Sequence, residues 1–372
     1  MSRQVTILSV ALVLSLGASY LRWTAEEGTD AADTIVVLDA KAGEIEELRW
    51  DSDKLDMVLL PQSDARGDWL LVKTTEEKER PVAEPEAPQP DDEGEAAEEE
   101  PEDESPDDES AEEEDDLPEP PAPAQMETFT EVVEFKAGEA GDKLLESLSP
   151  MVAKRALDTV ADDKLDELGL AEPEATLVVK RAGKGERTFQ VGGEAYGTRD
   201  RYLRDAESGK VYLIEDDLLR PLKYGKTRLP DRELIGIETA DIATVAITAP
   251  GGAVSFEQRN PDDPKAAYWA PPGGESDESA GNWMNKLLKL RSASFVQAED
   301  TPTALSEALT IQVTGDDGVK TTLKLLEGTD PEGREAFYAE SDFTRRQVKL
   351  HNAQAQDLIQ DVETILDVPE EE

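Results

Sequence analysis

The chain has 372 residues, enough for two domains of ordinary size, and a formal net charge of −48. That charge argues against nucleic-acid binding and against attraction to an anionic membrane surface, because both begin with a basic face. The chain has no cysteine and a single histidine, His351. Thiolate catalysis, cysteine zinc sites and histidine clusters are therefore excluded. We expect His351 to lie on the surface or at a helix start, since no G-x-S-x-G elbow accompanies it.

The N-terminus carries the strongest targeting signal in the chain. Seventeen uncharged residues run from Val5 to Leu21, between Arg3 and Arg22. As a helix they would span about 26 Å, near the lower limit for crossing a bilayer. Tyr20 and Trp23 fit an interfacial anchor belt, so we expect an uncleaved transmembrane helix, with a cleaved signal peptide as the alternative. The bulk of the chain is then expected outside the cytoplasm.

Alternating apolar residues predict strands near 44–50, 55–61 and 68–73, and a further strand at 127–136. A helix is predicted from Gly141, with Leu144 and Leu148 at helical spacing. Ser149-Pro150 predicts a kink or a restart of that helix. A short helix capped by Gly169 and a strand introduced by Pro173 follow within 165–179. Further strands are predicted at 186–191, 200–204 and 210–214, then a short helix from Asp216 to about Leu222.

An acidic, proline-rich stretch interrupts this series at about residues 76–125. Between Pro81 and Ala124 there are 21 Asp or Glu and no Lys or Arg. Such a segment cannot bury enough apolar surface to offset the entropy of ordering, so we expect a solvated, disordered insertion. The functional alternatives are a low-affinity calcium sink, a mimic of nucleic acid and an electrostatic tether to a basic partner. Calcium sites of defined affinity need carboxylates and a glycine at fixed loop positions, which the stretch lacks.

The remaining elements repeat in the second part of the chain, from about residue 237. Ile45 and Ile242, Trp69 and Trp269, Leu144 and Leu287, and Tyr202 and Tyr338 are paired at offsets of 197, 200, 143 and 136. The fall in offset after the tryptophan places the insertion between that strand and the helix of the first copy. The domains predicted are 1–25 as anchor or signal, 34–75 with 126–236 as the first repeat, 76–125 as the insertion, and 237–368 as the second repeat.

Tight turns such as AESGK and TGDDGVK join the strands and indicate antiparallel pairing. The predicted fold class is α+β: two repeated units of antiparallel sheet with helices on one face, preceded by the N-terminal transmembrane helix. GGEAYG at 192–197 lacks a following helix, so it predicts a hairpin loop and not a phosphate-binding loop.

An N-terminal apolar segment combined with four further segments resembles the bacterial domain-of-unknown-function family 4340. In chain order the four are LDELGLAEPEATLVV, RYLRDAESGKVYLIEDDLLRPL, YWAPPG and LLKLRSASFV. The likeness covers nearly the whole chain apart from the insertion. It implies a membrane-anchored protein of α+β repeats, often encoded with an ABC-type transporter related to gliding-motility systems. The family offers no established catalytic residue. This chain departs from the pattern in the insertion and in the second repeat, where TALSEALTIQV replaces the GL-x-x-P joint.

Several conspicuous side chains allow two interpretations. Trp69 and Trp269 are expected to anchor equivalent cores beneath their helices, with Trp283 and Met284 in the same packing, although stacking on a ligand is the alternative. A tyrosine- and arginine-rich segment could form a patch for an anionic partner or for the chain's own acidic loop, or simply cross-strand pairs on a solvent face. Its members are Tyr196, Arg199, Arg201, Tyr202, Arg204, Tyr212 and Tyr224.

The leading functional hypothesis is a non-enzymatic, membrane-tethered accessory protein that binds subunits of an ABC-type transport system. No catalytic residue, cofactor site or metal site is assigned. One alternative is an envelope hydrolase that acts on saccharide or peptide through a carboxylate pair. Another is an acidic cation-binding or adhesive protein in which the insertion is the functional part.

Overall fold

The computed structural model describes residues 35–81 and 126–366. Up to residue 241 the elements are β1 (Ile35–Leu38), β2 (Ile45–Ser52), β3 (Asp56–Asp64), β4 (Gly67–Pro81), β5 (Met126–Lys136), α1 (Glu139–Ser147), β6 (Met151–Ala153), β7 (Arg155–Thr159), α2 (Asp162–Leu165), β8 (Ala175–Arg181), β9 (Gly185–Glu194), β10 (Arg201–Asp205), β11 (Lys210–Ile214), α3 (Asp216–Lys223) and α4 (Gly225–Arg228). They are followed by β12 (Ile242–Ala249), β13 (Gly252–Arg259), β14 (Tyr268–Ala270), α5 (Glu278–Lys289), β15 (Ser292–Phe295), β16 (Thr303–Gly315), β17 (Lys320–Thr329), β18 (Glu335–Ser341), β19 (Val348–Leu350), α6 (Asn352–Gln360) and α7 (Val362–Leu366).

The strands form two large antiparallel sheets and one small ribbon. The first sheet has nine strands in the order β5-β4-β3-β2-β8-β9-β10-β11-β7, and the second has eight in the order β14-β13-β12-β16-β17-β18-β19-β15. The second order reproduces the first, apart from the additional edge strand β5, when β2–β4 are matched with β12–β14 and β7–β11 with β15–β19. The ribbon pairs β1 with β6. The α+β class with antiparallel pairing is confirmed.

One apolar cluster of buried side chains continues through both large sheets. In β2 and β12 the buried positions fall at the same places, with Ile45, Leu48 and Trp50 matching Ile242, Val245 and Ile247. Helices α1, α3, α5 and α6 contribute buried leucines and alanines to this cluster. Each amphipathic helix thus covers the apolar face of its sheet, as the periodicity predicts.

The opposite face of the first sheet carries a smaller apolar cluster beneath α2. Leu165 and Leu170 pack there with Val211, and Tyr202 borders them. Adjacent strand residues point to opposite faces, and Tyr202 is the neighbour of Leu203, which lies in the main core. The expectation that helices lie on one face alone is therefore wrong for α2.

The segment after α1 does not restart a helix at Pro150. Helix α1 ends at Ser147, the Ser149–Pro150 peptide is cis, and strand β6 begins at Met151. The predicted restart is wrong because residues 151–153 pair with β1, a tertiary contact that local pattern does not reveal.

The predicted turn at Gly169 is confirmed. Gly169 adopts a φ of +64°, and a Cβ there would lie 2.8 Å from the backbone nitrogen of Gly193. Any larger residue would be strained in conformation and would clash with β9. Glycine at this position therefore lets the chain leave α2 and start β8 close to its sheet.

The described residues up to Glu76 and from Val132 onward make one compact unit, while the ends of β4 and β5 belong to a second. In the second unit Lys78 Nζ lies 2.9 Å from Glu131 Oε2. The domain boundaries given above stay predictions. The predicted anchor at residues 1–25 lies outside the described residues, as do residues 82–125 of the acidic insertion. No helix within 35–81 and 126–366 is long and apolar enough to cross a membrane.

Candidate functional site

A cleft of about 1090 Å³ opens where the two large sheets meet, and a neighbouring depression of about 760 Å³ adjoins it. We call this region the inter-sheet cleft. Its walls are the β3–β4 hairpin, the first turn of α1, the segment that connects the two halves, and the loop between β18 and β19. Charged and aromatic side chains line it: Asp64, Arg66, Trp69, Lys136, Asp142, Asp231, Asp342, Phe343 and Arg345.

Two crossed ion pairs join the β3–β4 hairpin to the β18–β19 loop. Arg345 donates from Nε to Asp64 Oδ2 at 2.6 Å and from Nη2 to Asp64 Oδ1 at 3.1 Å. Arg66 Nη2 lies 2.6 Å from Asp342 Oδ2 in the reverse direction. The hydrogen bonds from Arg345, with one from the Arg66 backbone, lower the pKa of Asp64. Bidentate pairing fixes geometry as well as charge, so this arrangement, which we call the crossed clamp, orients the two sheets.

Trp69 lies in the clamp and not in the core. The Arg345 guanidinium carbon is 5.5 Å from the centroid of the Trp69 ring, a cation–π arrangement. The neighbouring residue, Leu70, is buried instead, at 2% exposure, and pairs with Pro61. The predicted core role of Trp69 is therefore wrong.

The true counterpart of Trp269 is Leu70. Trp269 pairs with Gln258, and the offset of 197 that relates Ile45 to Ile242 relates Pro61, the partner of Leu70, to Gln258. Trp269 is buried as predicted, at 7% exposure. The alignment of the two tryptophans was off by one residue, and one residue moves a side chain to the other face of a strand.

A buried lysine lies at the base of the inter-sheet cleft. Lys136 is 6% exposed, and its Nζ lies 2.5 Å from Asp231 Oδ2 and 3.5 Å from the centroid of the Phe343 ring. Gly236 permits this packing, because a Cβ there would come within 2.0 Å of Phe343. Local sequence pattern gives no sign of this group, since the lysine and its aspartate lie 95 positions apart in the chain.

Beside the cleft, side chains of the second sheet contact edge strand β5 of the first sheet. The side-chain amide of Gln297 accepts from the Glu134 backbone nitrogen at 2.8 Å and donates to the Glu134 carbonyl at 3.2 Å. It therefore substitutes for a neighbouring strand along edge strand β5. Arg346 pairs with the Glu134 carboxylate, and Phe135 packs on Phe295 at a ring distance of 6.0 Å. The joint between the sheets thus combines polar and apolar contacts.

Asp142 is the lining carboxyl with a pKa above its ordinary value. Partial burial raises the pKa of Asp142, the charge of Lys136 opposes that effect, and the nearby Glu146 and Asp231 add to it. It lies in the first turn of α1. A carboxyl that holds its proton more readily than its neighbours is a chemical prerequisite for general-acid behaviour.

The tyrosine- and arginine-rich segment does not form one patch. Arg201 is 6% exposed and pairs with Glu174 at 2.8 Å, Glu194 at 3.2 Å and Asp216 at 3.3 Å. Burial disfavours its charge, but these carboxylates outweigh burial and raise the pKa of Arg201.

The tyrosines of this segment are separated as well. Tyr212 lies in the main core and Tyr202 in the cluster beneath α2, whereas Tyr196 is fully exposed. The alternation of side chains along β10 and β11 divides the segment between the two faces of the sheet. The idea of a single anionic-partner patch is wrong.

The expectations for His351, for Trp283 with Met284 and for the GGEAYG segment are confirmed. His351 is exposed and directly precedes α6, where its carbonyl accepts from the Ala355 backbone nitrogen at 3.1 Å. Trp283 and Met284 are buried in α5. The GGEAYG segment ends β9 and leads by a turn into β10. Within the described ranges no group of three or more His, Cys, Asp or Glu side chains is arranged to hold a metal ion.

The fold and the cleft define an α+β protein with two joined antiparallel sheets. Residues 137–308 match the family model described as domain of unknown function (DUF4340). The resemblance proposed from the sequence is confirmed over these residues, which contain all four segments but cover less than the nearly whole chain that was expected. No curated protein and no solved structure matches the chain.

Proposed function

We propose that this protein is a non-enzymatic scaffold, made of two copies of one α+β unit, tethered to the membrane by its N-terminal segment and bound to subunits of an ABC-type transport system. The crossed clamp is the observation that carries the proposal. Each cleft arginine of the clamp is already engaged by a carboxylate from the other sheet. A substrate that needed those cations would have to break the joint, whereas a scaffold gains a fixed geometry from it.

The transport assignment rests on the family resemblance together with the predicted anchor. A tethered body with an acidic surface and two fixed sheets can position other subunits without performing chemistry itself. The extracytoplasmic location follows from the same anchor prediction. The acidic insertion serves here as a spacer.

Chemical crosslinking in intact membranes, with the anchor retained, tests this function. The full chain should recover a permease or ATPase subunit of an ABC-type transporter, identified by mass spectrometry. The same chain without residues 1–25 is the matched control and should recover less. Recovery of no transporter subunit by the full chain, under conditions that crosslink a known transporter complex, would overturn the proposal.

The hydrolase alternative is favoured by one observation, the raised pKa of Asp142 in a cleft that also holds Asp231. Against it, Asp231 is neutralised by Lys136 at 2.5 Å. Glycan and peptide substrates incubated with the wild-type chain and with Asp142→Asn decide the matter. Hydrolysis by the wild-type chain that Asp142→Asn abolishes would favour the enzyme, and equal turnover by both would exclude this aspartate as its acid.

A further inference from the structure

A groove of about 640 Å³ runs between α1 and α3, and Ala140 lines both this groove and the inter-sheet cleft. We call it the α1–α3 groove. Ala140 and Leu144 of α1 face Leu218 and Pro221 of α3 across it, and Val152, 40% exposed, closes one end. Its volume lies within the roughly 300–1,000 Å³ range of ligand pockets. The floor is apolar, while Lys143, Lys154, Glu215 and Asp217 form the rim.

The equivalent space in the second half is filled by a tryptophan. Trp283 of α5 is 1% exposed, and its Nε1 donates to the Leu358 carbonyl of α6 at 2.9 Å. The indole ring thereby occupies the gap between the two helices and satisfies its only polar atom. This contact shows which side chain suits the space between such a helix pair.

The alignment of the halves identifies the residue that replaces Trp283. Leu144 and Leu287 are the buried counterparts in α1 and α5, at an offset of 143, and this offset pairs Trp283 with Ala140. In α3 and α6, an offset of 136 pairs Leu222 with Leu358, both fully buried. The α1–α3 groove is therefore open where α1 carries alanine in place of tryptophan.

The other described tryptophans already pack at other places in the fold. Trp50 and Trp269 are buried in their sheets and Trp69 lies under Arg345. Trp23 precedes the described residues and is expected in the interfacial belt of the anchor. Within the described residues no tryptophan is therefore free to enter the groove, which leaves another protein as the source to be tested.

The position of the groove indicates where that protein lies. Ala153 lines the groove and pairs with Ile35, the first residue of β1. Eleven residues lie between Trp23 and Ile35, so the chain can span at most about 40 Å from one to the other. With the anchor across the membrane, β1 and the groove beside it lie within about 40 Å of the interfacial level at which membrane subunits carry tryptophan belts.

We propose that the α1–α3 groove binds a tryptophan side chain that a membrane subunit of the transport system presents near the bilayer surface. The identity of the partner rests on the proposed function. The preference for indole rests independently on the comparison with Trp283.

The first experiment tests the preference for indole. The full chain in nanodiscs is titrated with N-acetyl-L-tryptophanamide, and binding is followed by saturation-transfer NMR. Wild type and the control Ala140→Ser should bind the probe, whereas Ala140→Trp should bind it at least roughly tenfold more weakly, since the new indole fills the groove. The unfolding temperature of Ala140→Trp must not fall below that of the wild type. No binding to wild type, or equal binding to Ala140→Trp in its folded state, would overturn the proposal.

The second experiment tests the source of the tryptophan. A photo-crosslinking amino acid placed at Ser147, which lines the groove, should label a transporter membrane subunit in intact membranes, and Ala140→Trp should abolish the labelling. Labelling of residues around Trp23, of a second copy of the chain, or of lipid would overturn the proposal. If Ala140→Trp still recovers the transporter by general crosslinking, the scaffold function stands and the groove is not its contact. If no transporter is recovered by any variant, the proposed function fails, while the probe titration still decides the indole preference.

Discussion

Replacement of Trp283 by alanine should lower the free energy of unfolding more than replacement of Trp69 by alanine, because Trp283 lies in the core and Trp69 in the crossed clamp. The indole of Trp283 is buried to 1% exposure, and its N–H is bonded to the Leu358 carbonyl. Truncation of a buried tryptophan to alanine costs about 3–5 kcal/mol in the free energy of unfolding. At about 2.1 cal/mol/K of unfolding entropy per residue, a folded part of this size would lose roughly 5–8 °C in its unfolding temperature. Trp283→Phe keeps most of the packing and should lose about 1–2 kcal/mol, including the hydrogen bond.

Urea unfolding followed by far-UV circular dichroism measures these differences, and Trp69→Ala is the matched control. Trp69 is half-buried under Arg345, so its removal should cost less than about 2 kcal/mol, of which the cation–π contact supplies about 0.5–1 kcal/mol. The apolar core continues through both sheets, so a single cooperative transition is expected for every variant. A loss below about 1 kcal/mol for Trp283→Ala would refute the assigned packing of α5 on α6. So would a larger loss for Trp69→Ala than for Trp283→Ala.

Two further changes test the contacts between the two sheets, and a third tests the loop that follows β17. Gly236→Ala should lower the free energy of unfolding by about 1–3 kcal/mol, because alanine is strained at the left-handed φ of +70°, and the clash with Phe343 should add to this loss. Calorimetry should show that the second change Phe343→Leu restores part of the lost stability. Lys136→Met should cost about 3–5 kcal/mol because it leaves Asp231 partly buried and unpaired, and Lys136→Met with Asp231→Asn should cost less than the sum of the two single changes in urea unfolding. A hydrogen bond from the Arg334 backbone, with the Lys349 and Arg334 side chains, lowers the pKa of Asp330 against the effect of burial, so its contribution is complete above the ordinary aspartate pKa of 3.8 and is lost as the pH falls below it. The stability difference between wild type and Asp330→Asn should accordingly be constant near neutral pH and shrink in acid, and a difference that grows in acid would contradict the assignment.

Local pattern located most of the strands and helices. The alternation in KVYLI predicted β11 with the bounds that the structure shows, and the acidic start of DDLLRPLK predicted α3 to within a residue. Both signals involve only neighbouring residues, and each element uses its apolar face in the way the pattern requires. Repetition of the same patterns also indicated that the chain contains two similar series of elements.

Register and long-range pairing could not be obtained in this way. The tryptophan alignment failed by one residue, since the strand pairing of Leu70 with Pro61 decides which side chain faces the core. Arg201 looked like part of a basic surface, yet three carboxylates from separate elements enclose it. The crossed clamp joins Asp64 to Arg345 across 281 positions of sequence.

The sequence by itself determined the α+β class, the antiparallel turns, the resemblance to the family and the poverty of cysteine and histidine, because these depend on composition and on short-range pattern. The tertiary structure alone decided that the two sheets share one core, that Trp69 serves the joint, and that α1 leaves a groove where α5 inserts Trp283. These features depend on which residues become neighbours after folding, and short-range periodicity carries no information about partners so far apart in the chain.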